Sequence, residues 1–84
     1  MERDIKAELA AERAPIAERV EKLVAFMRKG KPDIISEPMW MLMASQLDAM
    51  NDYAELLAER IGLIEEEEKE QEALAKAAQE AHPE

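Results

Sequence analysis

The sequence predicts an all-α fold: a kinked N-terminal helix and a long second helix forming an antiparallel helical hairpin, assembled as a homo-oligomer. Three observations carry this. Alanine, glutamate, leucine, lysine, arginine and methionine dominate, whereas Thr is absent and Val and Gly occur only twice each. That mixture is rich in helix formers and poor in strand and turn formers. Apolar residues recur at three- and four-residue steps along both halves of the chain. Finally, 84 residues without a cysteine allow one domain whose lone core is marginal, with disulfides excluded as a remedy; self-association is the remedy left.

The first helix reads from Glu2 to about Lys29, on the stripe Ile5, Leu9, Ile16, Val20, Leu23 and Met27. Pro15 lacks the backbone donor and clashes with the carbonyl four residues back, so either a kink near Ala14 or two short helices is expected there. Arg28 and Lys29 suit a helix C-terminus, and Gly30 can take the left-handed cap. Residues 31–35 form the connection, with Pro32 blocking continuation of the helix. Ser36 then reads as an N-cap, followed by Glu37 and a first-turn Pro38.

The second helix runs from about Glu37 well past Ile64. Met43, Leu47, Met50, Ala54, Leu57, Ile61 and Ile64 form an unbroken heptad stripe that suffices to pack on the first helix. A second apolar stripe, Trp40, Ala49, Tyr53, Leu56 and Leu63, lies on a neighbouring face and is interrupted by Gln46 and Arg60. A two-helix hairpin cannot cover both, so Trp40, Tyr53, Leu56, Arg60 and Leu63 are the expected oligomer interface. Gly62 either allows close helix approach or is a tolerated imperfection. Residues 1–64 are thus the hairpin domain, and 65–84 a charged helical extension that frays near Ala78.

Several function classes are excluded or disfavoured. Carboxylate pairs such as Asp48/Asp52 and Glu55/Glu59 arise by helical spacing in an acidic chain, with no sign of a cleft to shift a pKa. None of the metalloprotease, nucleophile-elbow, P-loop or EF-hand patterns is present, so no catalytic residue and no cofactor is expected. A lone His82 makes no zinc site. Glu65–Glu68 attract divalent cations at most weakly: they point in different directions around the helix, do not converge on one ion and read as a solubilising run. The methionines Met27, Met39, Met41, Met43 and Met50 read as gap-filling core and interface packing, the alternative being an adaptable binding surface. The longest apolar run, Met39–Ala44, falls far short of the ~20 residues that span a bilayer. No secretory leader opens the chain, and a cytoplasmic protein without a membrane partner is expected.

Charge is placed unevenly. Residues 1–31 carry eight basic and six acidic side chains, and residues 32–84 carry three basic and fourteen acidic. The net charge of −9 opposes binding of long nucleic acid. It leaves room for a small anion at the cluster Arg28, Lys29 and Lys31 around Gly30, with Arg13, Arg19 and Lys22 upstream, because turns with free N–H groups and paired guanidinium contacts suit phosphate.

Two segments, AERVEKLVAFM at 17–27 and LMASQLDAMNDYAELLAERIGLI at 42–64, carry a family resemblance. They resemble the small phage proteins that antagonise CBASS immunity by sequestering its cyclic oligonucleotide second messengers. Those share an RIxKLxxFI-like first helix and a LLxxQLxxMxxYxxxLxxRIxLL-like second; Gln46, Leu47, Met50, Tyr53, Leu57, Arg60 and Ile61 agree at the right steps. The resemblance spans roughly residues 12–64. It implies a homo-oligomer, typically a hexamer, that binds cyclic di- or trinucleotides without chemistry in pockets between protomers, in the cytoplasm of an infected bacterium. It also implies ligand contacts at Arg13, Arg28, Lys29, Gly30 and Lys31. The family's base-packing aromatic falls near Arg13 here: either the guanidinium stacks on a purine in its place, or the dinucleotide pocket is lost and the trinucleotide site kept. The competing reading is a helical structural or adaptor protein whose partner is another protein. A sponge for a different immune nucleotide, such as a cyclic ADP-ribose isomer, stays within the sequestering class.

Overall fold

The computed structural model describes residues 3–80, and among them the chain is two helices, α1 (Ile5–Arg28) and α2 (Glu37–Glu80). Three pairings show that the helices run antiparallel: Lys6 Nζ meets Glu68 Oε1 at 2.8 Å, Arg13 Nε reaches the Ala54 carbonyl at 3.0 Å, and the Phe26 and Trp40 rings lie 6.2 Å apart. The particle measures 77 × 24 × 17 Å, a rod set by α2, whose 44 residues rise about 66 Å.

Local chemistry explains the helix ends. Asp4, rather than Glu2, opens α1: its Oδ1 accepts the Ala7 N–H at 3.0 Å, and its own carbonyl accepts the Glu8 N–H at 3.1 Å, the N-cap arrangement that satisfies otherwise orphaned donors. At the other end Lys29 and Gly30 donate N–H groups to the carbonyls of Phe26 and Met27. Gly30 has φ +89°, where a side chain is strained. Ser36 caps α2, its Oγ accepting the Met39 N–H at 3.3 Å. Between them, the Ile35 N–H donates to the Pro32 carbonyl and Lys31 Nζ donates to the Ile35 carbonyl, at 3.0 and 2.9 Å, so the loop is internally tied.

Of the two outcomes expected at Pro15, division into two short helices does not occur: Pro15 sits inside one continuous α1. Both Pro15 and Ala11, whose carbonyl loses its usual donor, are exposed, so water can serve that carbonyl and the break costs less than it would in a core. Trp40, grouped from sequence with the outward stripe, lies over Phe26 at the hairpin tip and is half-buried. The helix also continues to Glu80, slightly beyond the expected fraying point. His82 lies outside the described residues.

The hairpin has little interior. Only Leu9, Ala54 and Leu57 are buried among the described residues, and the heptad stripe of α2 is otherwise half-buried against α1. The neighbouring stripe is open: Tyr53, Leu56 and Leu63 are 42, 57 and 55 % exposed, and Leu42, four residues before Gln46 and so on the same face, is 66 % exposed. Beyond Glu68, the last residue tied to α1, the helix from Lys69 to Glu80 projects about 18 Å with every side chain exposed. No described helix is long and apolar enough to cross a membrane.

Candidate functional site: a cation-flanked groove and a basic tip

Arg19, Lys22, Phe26 and Lys29 step by three, four and three residues along α1 and therefore share one face. Opposite them α2 presents Gln46 and Met50. The space between is a shallow groove of about 440 Å³ lined by Arg19, Lys22, Leu23, Phe26, Gln46 and Met50. Its floor is apolar, its rim carries two cations, and Gln46 offers a carboxamide that both donates and accepts. Lys22 is tied at 3.0 Å to Glu18 in an exposed i,i+4 pair, which is weak and easily exchanged for a ligand. Arg19 has no hydrogen bond or ion pair among the described residues.

The groove leads toward the basic tip. Arg28, Lys29 and Gly30 are exposed there, and among the described residues neither Arg28 nor Lys29 has an ion-pair partner. Lys31 is half-buried and spends one donor on the Ile35 carbonyl, leaving two of the three ammonium protons for another acceptor. The tip is thus compact, cationic and held in shape by Gly30 and the tied loop.

Arg13 is elsewhere. It lies about 22 Å along α1 from Arg28 and donates into the helix seam, so one protomer does not bring it to the tip. Tyr53, Leu56, Arg60 and Leu63 are all exposed on α2; none belongs to the groove, whereas Gln46 borders both groove and stripe. Sequence reasoning missed Phe26, Gln46 and Met50 as groove residues. Their signal was present in the shared face with Arg19 and Lys22, but only the pairing of the two helices makes it a site.

A larger depression, about 500 Å³, lies at the start of α1 among Arg3, Asp4, Ile5, Lys6, Ile64 and Glu68. Its cations are already neutralised: Arg3 Nε donates to Glu8 at 2.9 Å and Lys6 pairs with Glu68. The hydrogen bond to Glu68 raises the Lys6 pKa above its ordinary value, opposed by desolvation and aided by the charges of Glu68, Glu65 and Asp4. An anion gains little there, which leaves the tip-side groove as the better candidate. No group of side chains that could hold a metal ion occurs among the described residues.

Fold and groove together define a small all-α hairpin with a cation-flanked groove between its two helices. The chain belongs to the Sequestin family, whose model matches residues 3–63. The match ends at Leu63, so it takes in α1 and the part of α2 that packs beside it and leaves out the acidic arm. No curated protein and no solved structure matches the chain significantly.

Proposed function

We propose that this protein binds and sequesters a cyclic oligonucleotide second messenger, a cyclic di- or trinucleotide, without transforming it, and so withholds the messenger from CBASS effectors in an infected bacterium. The family description, Sequestin, supports the sequestering role. The observation that carries the ligand class is the groove itself: Arg19 and Lys22 flank an apolar floor of Leu23, Phe26 and Met50. A flat base and a phosphate joined at short range need that combination, the base for the floor and the phosphate for charge-assisted hydrogen bonds. Arg28, Lys29, Gly30 and Lys31 extend the cationic surface for the remaining phosphates of a compact ring.

The open stripe on α2 supports assembly as a homo-oligomer, with a hexamer as the copy number the resemblance implies. Only three of the described residues are buried, a small core for a hairpin standing alone, and a second copy on the stripe both covers it and walls the groove. Enclosure matters, since a shallow single-protomer groove desolvates too little of a charged ligand for tight capture.

Isothermal titration against a panel of cyclic di- and trinucleotides, widened to cyclic ADP-ribose isomers, tests the reading. Micromolar or tighter binding to a cyclic oligonucleotide is the expected result. Binding only to a cyclic ADP-ribose isomer keeps the sequestering role and replaces the ligand. Binding to none, with no ligand-induced rise in Tm, favours the adaptor reading.

A further inference from the structure

The outward stripe of α2 has a symmetry of its own. From Leu42 to Leu63 it reads Leu42, Gln46, Ala49, Tyr53, Leu56, Arg60, Leu63, in steps of four and three. Reversed about its centre near Tyr53, leucine meets leucine at the two ends, small Ala49 meets large Leu56, and Tyr53 meets its own copy. The only polar members, Gln46 and Arg60, fall opposite each other to within one residue. A surface that matches itself in this way is what a two-fold, isologous contact requires.

From these features we infer that two copies pair antiparallel along this stripe, and that the pairing completes the groove. The inference rests on the sequestering reading for its purpose but not for its geometry. The stripe lies roughly 100° around α2 from the α1-facing heptad stripe, so a second hairpin fits beside α2 without displacing α1. In this register Arg60 of the second copy comes to Gln46, which lines the groove with Arg19, Lys22 and Phe26. The groove thereby gains a third cation and a wall, and each pair holds two such sites.

Charge complementarity selects the same register. The acidic arm is about 45 Å along α2 from the basic tip of its own chain and cannot reach it. In the antiparallel pair, Glu65–Glu72 of one copy run at the level of Asp33–Trp40 of the other, beside Arg28, Lys29 and Lys31. Leu74, exposed on the extension of the same stripe, arrives near the connecting loop, whose Ile34 is 91 % exposed. A parallel pair would instead align arm with arm and tip with tip, setting like charges side by side.

The chain has no cysteine, so single-cysteine variants read the register directly. Leu42→Cys and Leu63→Cys proteins are oxidised separately and mixed, with helical circular dichroism confirming the fold. A second pair, Gln46→Cys with Arg60→Cys, uses exposed polar positions that spare the apolar surface. The expected result is a disulfide dimer in the mixtures, at least tenfold above that in either protein alone. Dimers of Leu42→Cys alone and of Leu63→Cys alone would mean parallel pairing and overturn the inference, as would no cross-link in either mixture. Titration of the native chain reads the sequestering role separately: mixed cross-links without ligand binding remove that role and keep the register, and binding without mixed cross-links does the reverse.

Discussion

Arg13 and Ala54 join the middles of the two helices: the Arg13 Nε–H donates to the Ala54 carbonyl at 3.0 Å, one of the few polar contacts across the seam. The contact depends on the small side chain at 54, which is buried and leaves the backbone open to a guanidinium. A charged donor on a partly buried carbonyl contributes about 1–3 kcal/mol. Arg13→Met keeps the apolar stem and removes the donor. It is expected to lower stability by about 1–2 kcal/mol in urea unfolding at fixed protein concentration, while nucleotide affinity stays within about threefold because Arg13 is ~22 Å from the tip. Unchanged stability with lost binding would reverse this assignment and restore the ligand contact implied by the family resemblance.

The two glycines separate two backbone effects. A Cβ at Gly30 or at Gly62 meets nothing within 4 Å, so neither substitution is limited by space. Gly30 has φ +89°, and Gly30→Ala is expected to destabilise by about 1–2 kcal/mol through the left-handed backbone alone. Gly62 is inside α2, and Gly62→Ala is expected to stabilise by up to about 1 kcal/mol. Chemical unfolding checks both. A destabilising Gly62→Ala would mean that another chain packs there.

Much of the fold was legible because it is local. Ser36, Gly30 and the basic last turn of α1 state their roles within a few residues, and the heptad stripe of α2 dictates which face α1 covers. The rest depended on distance or context. Pro15 carries a helix-breaking signal, yet exposure of Pro15 and Ala11 lets α1 run through it. Trp40 sits one heptad before Leu47 on the α1-facing stripe, and the loop's length is what brings it to Phe26. The Arg13 contact and the Gln46 side of the groove required knowing which residues of α1 and α2 stand opposite each other.

Lys6 provides a pH test. Its hydrogen bond to Glu68 raises its pKa above the ordinary 10.5, with burial opposing and the charges of Glu68, Glu65 and Asp4 assisting. A cation whose folded pKa is raised stabilises the fold fully below its unfolded pKa, and that contribution is lost as pH climbs through the folded value. Lys6→Gln is therefore expected to melt slightly below the native chain at pH 8, with the gap closing above pH 10.5. The exposed setting of the pair keeps the gap small. A gap that widens with pH would contradict the pairing.

At the tip, Arg28→Ala and Lys29→Ala are expected to weaken binding of at least one cyclic oligonucleotide by ~10-fold or more each, with melting temperatures close to native because both side chains are exposed and unpaired among the described residues. Affinity is expected to fall as salt rises from about 0.05 to about 0.5 M, because dissolved ions screen exposed charges. Titration calorimetry at several salt concentrations reads both effects. Salt-independent affinity would shift the binding energy away from the cations and onto the groove floor.

Capture without conversion is the core of the account, and depletion followed by release measures it most directly. The protein is incubated with a limiting cyclic di- or trinucleotide, the filtrate is assayed for free ligand, and the retained fraction is heat-denatured and analysed by mass spectrometry. The expected result is loss of ligand from the filtrate in fixed proportion to protein, followed by recovery of the intact ring. Ligand left in the filtrate at every protein concentration, or a linearised product after denaturation, would contradict it.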